Sequence, residues 1–153
     1  MRCFTIGPAR AEDVPALEAL LGALFSIEMD FRPDAVRQRR GLALLLEDAD
    51  RAIVMSARDA TGAVIGMASA QLVVSTAEGA RSAWIEDVVV AEGFRSEGVA
   101  TTLLAAVLDW ARERGATRAQ LLADRGNTPA LEFYRRLGWQ PTQLGAWRIG
   151  LLQ

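Results

Sequence analysis

Histidine is missing from the 153 residues, and cysteine occurs once, at Cys3. Disulfide scaffolds need paired cysteines, structural zinc sites draw on Cys and His, and Ser-His-Asp or Cys-His hydrolases need an imidazole. The inventory excludes all of these, and no metal is expected. Cys3 falls on an expected edge strand and reads as a structural residue rather than a nucleophile. Long apolar runs are lacking too: none approaches the roughly 18 residues of a membrane span, and the N-terminus has no signal-peptide pattern. A cytoplasmic protein with no membrane partner is expected. An excess of either charge is also absent, with 17 basic against 19 acidic residues and a formal net charge of −2. A protein that neutralises nucleic-acid phosphates calls for a strongly basic face, so nucleic acid is not an expected partner. The one basic run, Arg37, Arg39 and Arg40, reads as the solvated face of a helix.

What is present is a composition of 51% hydrophobic and 24% charged residues, the mark of an ordered globular chain. Its length suits one domain, residues 1–153. Residues 3–6 read as a strand closed by Gly7-Pro8. Val14, Leu17, Leu20, Leu21 and Leu24 then recur at helical spacing to about Glu28. A break at Met29 to Pro33 leads into a second helix through Leu46, and strands follow at 52–55 and 64–74, joined by a Thr61-Gly62 turn. Residues 83–90 form a strand that alternates in its first half and is continuously apolar in its second, as expected at the middle of a sheet. From Gly98 a helix carries Leu103, Leu104, Val107 and Ala111 on one face until Gly115. A strand at 119–123 follows, and a last helix opens at Thr128-Pro129 and ends at Gly138. The tail 140–152 reads as one or two closing strands. The expected fold class is therefore α/β, a mixed α+β sheet in a single domain.

Chemistry concentrates between the buried strand and the long helix. Phe94, Arg95, Ser96, Glu97, Gly98, Val99, Ala100 and Thr101 lie where backbone N–H groups and the positive end of a helix converge on an anion. Gly98 and the small Ala100 permit close approach of a bulky ligand, and Arg95 adds a charge-assisted donor to phosphate. Neither Gly-x-Gly-x-x-Gly nor Gly-Lys-Ser/Thr is present, which disfavours a dinucleotide or a P-loop triphosphate.

Arg95-Ser96-Glu97-Gly98-Val99-Ala100 resembles the Arg/Gln-x-x-Gly-x-Gly/Ala signature of the GNAT superfamily of N-acetyltransferases. Residues 127–139, with Asn127, Ala130, Phe133, Tyr134, Gly138 and Trp139, resemble the family's second hallmark, Asn-x-x-Ala-x-x-Phe-Tyr-x-x-x-Gly-Phe. The strand from Ile85 to Val90 is similar to the family's central strand, especially in glucosamine-phosphate acetyltransferases. Ser96 and Trp139 depart from the usual glycine and phenylalanine. The resemblance is sharp from about Trp84 to Trp139, and residues 24–40 and 73–82 carry no signature for the acceptor.

The resemblance implies a GNAT-like fold and direct attack of a neutral amine on acetyl-CoA as co-substrate, with no covalent enzyme intermediate. An aliphatic amine of pKa near 10 is only about one part in a thousand neutral at pH 7, worth roughly 4 kcal/mol of barrier, so a proton acceptor is expected. The resemblance implies Glu86 as the first candidate. Asp87, a distant carboxylate such as Glu28, or a water chain remains open, and strand alternation predicts that only one of Glu86 and Asp87 looks into the cleft. The resemblance further implies Tyr134 as the acid that protonates the leaving thiolate, and Asn127 on the pantetheine or phosphate arm, against a plain capping role. It also implies Val88, Val89 and Val90 as backbone partners of the thioester carbonyl and pantetheine. The expected acceptor is a small-molecule primary amine, with a protein N-terminus or lysine as an alternative. A non-catalytic coenzyme A sensor and a binder of another nucleotide are the competing readings. The expected assembly is a homodimer, because closing strands at a sheet edge need cover.

Overall fold

The computed structural model describes residues 2–28 and 30–152, so Met29, in the break between the first two helices, lies outside the described residues. The chain divides into two compact units, Met1–Leu121 and Leu122–Gln153.

The first unit is a five-stranded mixed sheet with helices on both faces. Its elements are β1 (Phe4–Pro8), α1 (Val14–Ile27), α2 (Ala35–Glu47), β2 (Ala52–Asp59), β3 (Val64–Ser75), β4 (Ala80–Val90), α3 (Val99–Glu113) and β5 (Ala116–Leu121), with short 3-10 turns at Ala11–Asp13 and Glu92–Phe94. Sheet order follows the chain from β1 to β5. The first three pairings are antiparallel, and β4 with β5 is parallel across the α3 crossover. Gly7 and Pro8 belong to β1 rather than closing it, and proline is tolerated there because β1 is an edge strand. Cys3 is exposed and lies one residue before β1. β5 begins at Ala116, three residues earlier than its apolar pattern suggests, because pairing with β4 recruits Thr117 and Arg118 despite their exposure.

Alternation sorts the two faces of the sheet. Val54, Met67 and Val89 pack with Leu17, Leu20, Leu21 and Leu42 of α1 and α2 in one buried cluster. The opposite face carries small residues under α3: a Cβ added to Gly66 would meet Leu103 and Val99 at 3.2 Å. Ala68 and Ala70 follow Gly66 on that face, fully buried.

The second unit holds α4 (Thr128–Arg136), capped by Asn127 and ended by Gly138 at φ +94°. The expected closing strands are not formed: among the described residues no strand follows α4. Trp147, Ile149 and Leu151 keep the alternation of a strand, but alternation becomes a strand only when another edge satisfies its N–H and C=O groups. Here no ladder includes residues 140–152.

Candidate active site

The site grows from an irregularity in β4. Met67 pairs with Val89 and Ser69 with Glu86, so Ala68 faces two residues, Asp87 and Val88, and β4 carries a one-residue bulge. Asp87 takes it up with a left-handed backbone, φ +56°, a conformation that Asp adopts more readily than most side chains. The hydroxyl of the buried Ser69 donates to the Glu86 carbonyl at 3.0 Å and pins the register beside the bulge. Strict alternation therefore fails here. Glu86 and Asp87 line the same cavity, where the sequence pattern places them on opposite faces.

That cavity, about 1050 Å³, lies between the sheet and the α1–α2 pair. Leu21, Phe25 and Leu42 give it an apolar wall, and Ser69 and Gln71 of β3 contribute polar atoms. The wall is held by a buried side chain: Gln38 donates to the Glu18 carbonyl at 2.9 Å and accepts from the Asp34 N–H at 2.8 Å. Asp34 also caps α2 by accepting from the Arg37 N–H. Phe25 and Phe31 meet with ring centroids 5.3 Å apart at the break between the helices.

The two carboxylates differ in environment. Glu86 is exposed, and its Oε1 accepts from the Trp84 indole N–H at 2.7 Å. Asp87 is largely withdrawn from water. Burial first, then the charges of Glu86 and Glu28, push its carboxyl up to about 7. A carboxylate with that pKa is matched to taking a proton near neutral pH.

Past the bulge β4 is open on one side. Its pairing with β5 stops at Ile85 with Leu121, so the β5-facing edge of Glu86 to Val90 has no ladder partner among the described residues. Val89 is buried, and Val88 and Val90 are partly covered. The chain then turns back on itself, as the Arg95 Nε donates to the Val90 carbonyl at 3.2 Å. Ser96 and Gly98 both have positive φ, +64° and +83°. Gly98 is the N-cap of α3, without a side-chain cap, so the first-turn N–H groups at Val99, Ala100 and Thr101 lack both intrahelical and capping partners. A Cβ at Gly98 would meet nothing within 4 Å, so the approach to these donors is open. Glu97 turns inward, its Oε1 3.7 Å from the Arg2 Nε and its buried Oε2 without a hydrogen bond. The donor set of Val99 to Thr101 and the unpaired edge of β4 suit a phosphate arm and an amide-bearing chain respectively.

The first unit thus brings together Glu86, Asp87, Val88 to Val90 and Arg95 to Thr101. Asn127 and Tyr134 belong to the second unit. There Asn127 caps α4, its Oδ1 accepting from the Ala130 N–H at 3.2 Å. Tyr134 stands edge-on to Phe133 and Trp139, at 5.3 and 6.1 Å. Sequence reasoning missed Ser69, Gln71, Trp84 and Gln38. These four stand in no motif, whereas Asp87 was already an alternative to Glu86.

Comparison with known proteins gives the family and the fold. Residues 17–139 match the acetyltransferase (GNAT) family, a span crossing both units. A streptothricin acetyltransferase of Streptomyces lavendulae is 43% identical over 63 residues, 38% of this chain and 33% of that protein. An N-acetyltransferase of Methanocaldococcus jannaschii is 31% identical over 71 residues, 46% of this chain and 31% of that one. The matches thus span about a third of the length of these curated relatives. Among solved structures, an aminoglycoside N-acetyltransferase in complex with CoA superposes with TM-score 0.82 at 19% identity, covering 99% of this chain and 97% of the other. Glucosamine-6-phosphate N-acetyltransferase from Arabidopsis thaliana gives 0.77 at 18%, covering 96% and 98%. These likenesses establish the fold.

Proposed function

The chain belongs to the acetyltransferase (GNAT) family, and from that premise we propose that it transfers an acetyl group from acetyl-CoA to a primary amine of a small-molecule acceptor by direct attack. The observation that carries this reading is the β4 bulge: one irregularity places two carboxylates in a cavity and stands where β4 leaves β5, just before the capless α3. The first-turn N–H groups of α3 and Arg95 would hold the phosphates, while the open edge of Val88 to Val90 would pair with pantetheine amides and donate to the thioester carbonyl.

The amine nitrogen attacks the carbonyl carbon, its proton passes to a carboxylate, the C–S bond breaks, and the sulfur takes a proton. The products are the N-acetylated amine and the coenzyme A thiol. Of the two carboxylates, Asp87 suits the proton better than Glu86, because burial raises its basicity whereas Glu86 is exposed and tied to Trp84. Tyr134 is assigned as the acid for the sulfur on the family's motif, and Asn127 as a contact to the cofactor arm through the amide group left over from its capping role.

A small-molecule acceptor is in keeping with the cavity between the sheet and the α1–α2 pair, whose volume of about 1050 Å³ is of the size that takes a drug-sized ligand. The names of the streptothricin and aminoglycoside acetyltransferases are in keeping with it. We place the enzyme in the cytoplasm, where acetyl-CoA is made and used, and as a homodimer. None of the described helices is long and apolar enough to cross a membrane. The test of cofactor class is thermal: acetyl-CoA at about 100 times its Kd adds roughly 2.7 kcal/mol of stability and raises the melting temperature. ATP and NAD leave it unchanged. A shift with ATP or NAD but none with acetyl-CoA refutes the reading.

A further inference from the structure

The loop assigned to phosphate carries one acid. From Phe94 to Thr101 only Glu97 is negatively charged, and it directly precedes Gly98, the N-cap of α3. A like charge at that place works against a polyanion. Nor does Glu97 serve the helix: α3 has no side-chain cap, and the buried Oε2 of Glu97 accepts no hydrogen bond. The cation beside it comes from outside the loop. Arg2, two residues before β1, has its Nε 3.7 Å from the Glu97 Oε1. The same guanidinium lies over the ring of Phe94, 4.5 Å from its centroid. One side chain thus meets both ends of the loop's apex, with the exposed Arg95 and Ser96 between them. We propose that Arg2 is a positioning residue for acetyl-CoA: seated on Phe94, it neutralises Glu97, so that the phosphates meet the free N–H groups of α3 without an opposing charge. This rests on the acetyl-transfer reading above, which puts the phosphates at this loop.

An exposed ion pair contributes little in general, because water and salt screen both charges. This pair is asymmetric. Arg2 is 59% exposed but Glu97 only 23%, with Oε2 sealed from water. A carboxylate so placed is poorly screened, its charge is felt at close range, and a neighbouring cation is what reduces it. Arg95 is the nearest cation along the chain, yet it turns its Nε to the Val90 carbonyl instead. The Phe94 ring gives the guanidinium a face to stack on, which holds a long and otherwise flexible side chain in place. Charge balance matters here because the apex is rich in donors: the N–H groups of Ser96, Glu97 and Gly98 donate to no backbone carbonyl among the described residues. With Arg95 and Arg2 set against Glu97, the loop keeps a net positive charge, and without Arg2 it has none.

The experiment measures coenzyme A thiol release with a primary amine, and acetyl-CoA binding by calorimetry, for wild type, Arg2→Ala, Arg2→Lys, Glu97→Gln and the double variant Arg2→Ala with Glu97→Gln. Arg2→Ala is expected to raise the KM and Kd for acetyl-CoA by about three- to tenfold, leaving kcat and the KM for the amine within about twofold. Arg2→Lys, which keeps the charge, recovers most of that loss. Glu97→Gln alone binds acetyl-CoA more tightly than wild type, and in the double variant it restores the affinity that Arg2→Ala loses, a coupling that independent sites do not show. The Arg2→Ala loss shrinks at about 0.5 M salt, where the screening length falls to a few ångströms. Wild-type affinity in Arg2→Ala, a double variant as weak as Arg2→Ala, weaker binding by Glu97→Gln alone, or a loss indifferent to salt overturns the proposal. Wild-type protein that neither binds acetyl-CoA nor releases thiol with any amine refutes the acetyl-transfer reading instead.

Discussion

Asp87 combines a left-handed backbone with a carboxyl withdrawn from water, two unfavourable features in one residue. The second has a measurable consequence. The folded chain holds the Asp87 proton up to about 7, while the ordinary carboxyl releases it near 3.8. Between those values the folded state binds more protons than the unfolded one, so this group makes stability fall as pH rises. Below the lower value and above the upper one it has no slope. Asn tolerates the left-handed conformation and has no proton to lose, so Asp87→Asn should melt above the wild type. The margin is expected to be small near pH 4, to widen up to about pH 7 and then to level, reaching several degrees for a shift of this size. A margin that stays constant from about pH 4 to pH 8 would remove the buried-carboxyl account. The family resemblance made Glu86 the first choice in the sequence, and alternation admitted only one of the pair to the cleft. What it could not register is a single inserted residue, because a period-two pattern carries no mark of where a partner strand skips.

At the scale of elements, the helices and strands that form the cleft were legible. Leu103, Leu104, Val107 and Ala111 repeat at helical spacing, and the structure buries all four along α3. Gly98, Gly115 and Gly138 stood out as punctuation, and each has positive φ. The divergence of β4 from β5 was not legible, since strand pairing lies in the register between distant segments rather than in either one. Gly98 links the two levels. Its left-handed conformation starts α3, and the space beyond its Cα is open, so a side chain there projects toward the donors assigned to phosphate. Gly98→Glu should fold with a penalty of roughly 1–2 kcal/mol from the backbone and lose the acetyl-CoA thermal shift, through bulk and like charge. A folded Gly98→Glu protein with the full shift would move the phosphate site elsewhere.

At the scale of the whole molecule, the tail is the part the sequence misjudged. Its five large apolar residues, Leu144, Trp147, Ile149, Leu151 and Leu152, are 85–98% exposed. A row of that kind marks an interaction surface. With roughly 100 Å² of apolar surface on each, burying them supplies about 500 Å², more than half of the about 800 Å² per partner of a standard interface. A second copy would bring both the same arm and the same β5 edge, which pairs with no further strand among the described residues. Light scattering at tens of micromolar should give twice the 16.6 kDa of one chain. Trp147→Ser combined with Ile149→Ser should shift the mass toward the monomer, and a wild-type monomer at that concentration refutes the dimer.

The central claim is that the cavity at the β4 bulge carries out amine acetylation with Asp87 as proton acceptor, and the most direct measurement is coenzyme A thiol release from acetyl-CoA across pH, with a primary amine acceptor, for wild type and Asp87→Asn. The wild type should release thiol only when amine is present, with kcat/KM falling below a limb near pH 7. Asp87→Asn should be slower by about 10²- to 10⁴-fold at neutral pH and recover as pH approaches the amine's own pKa, because removing a general base costs rate only while the amine must still be deprotonated. No amine-dependent thiol release from the wild type, or an Asp87→Asn enzyme with the wild-type rate and pH profile while chemistry limits turnover, would contradict the account.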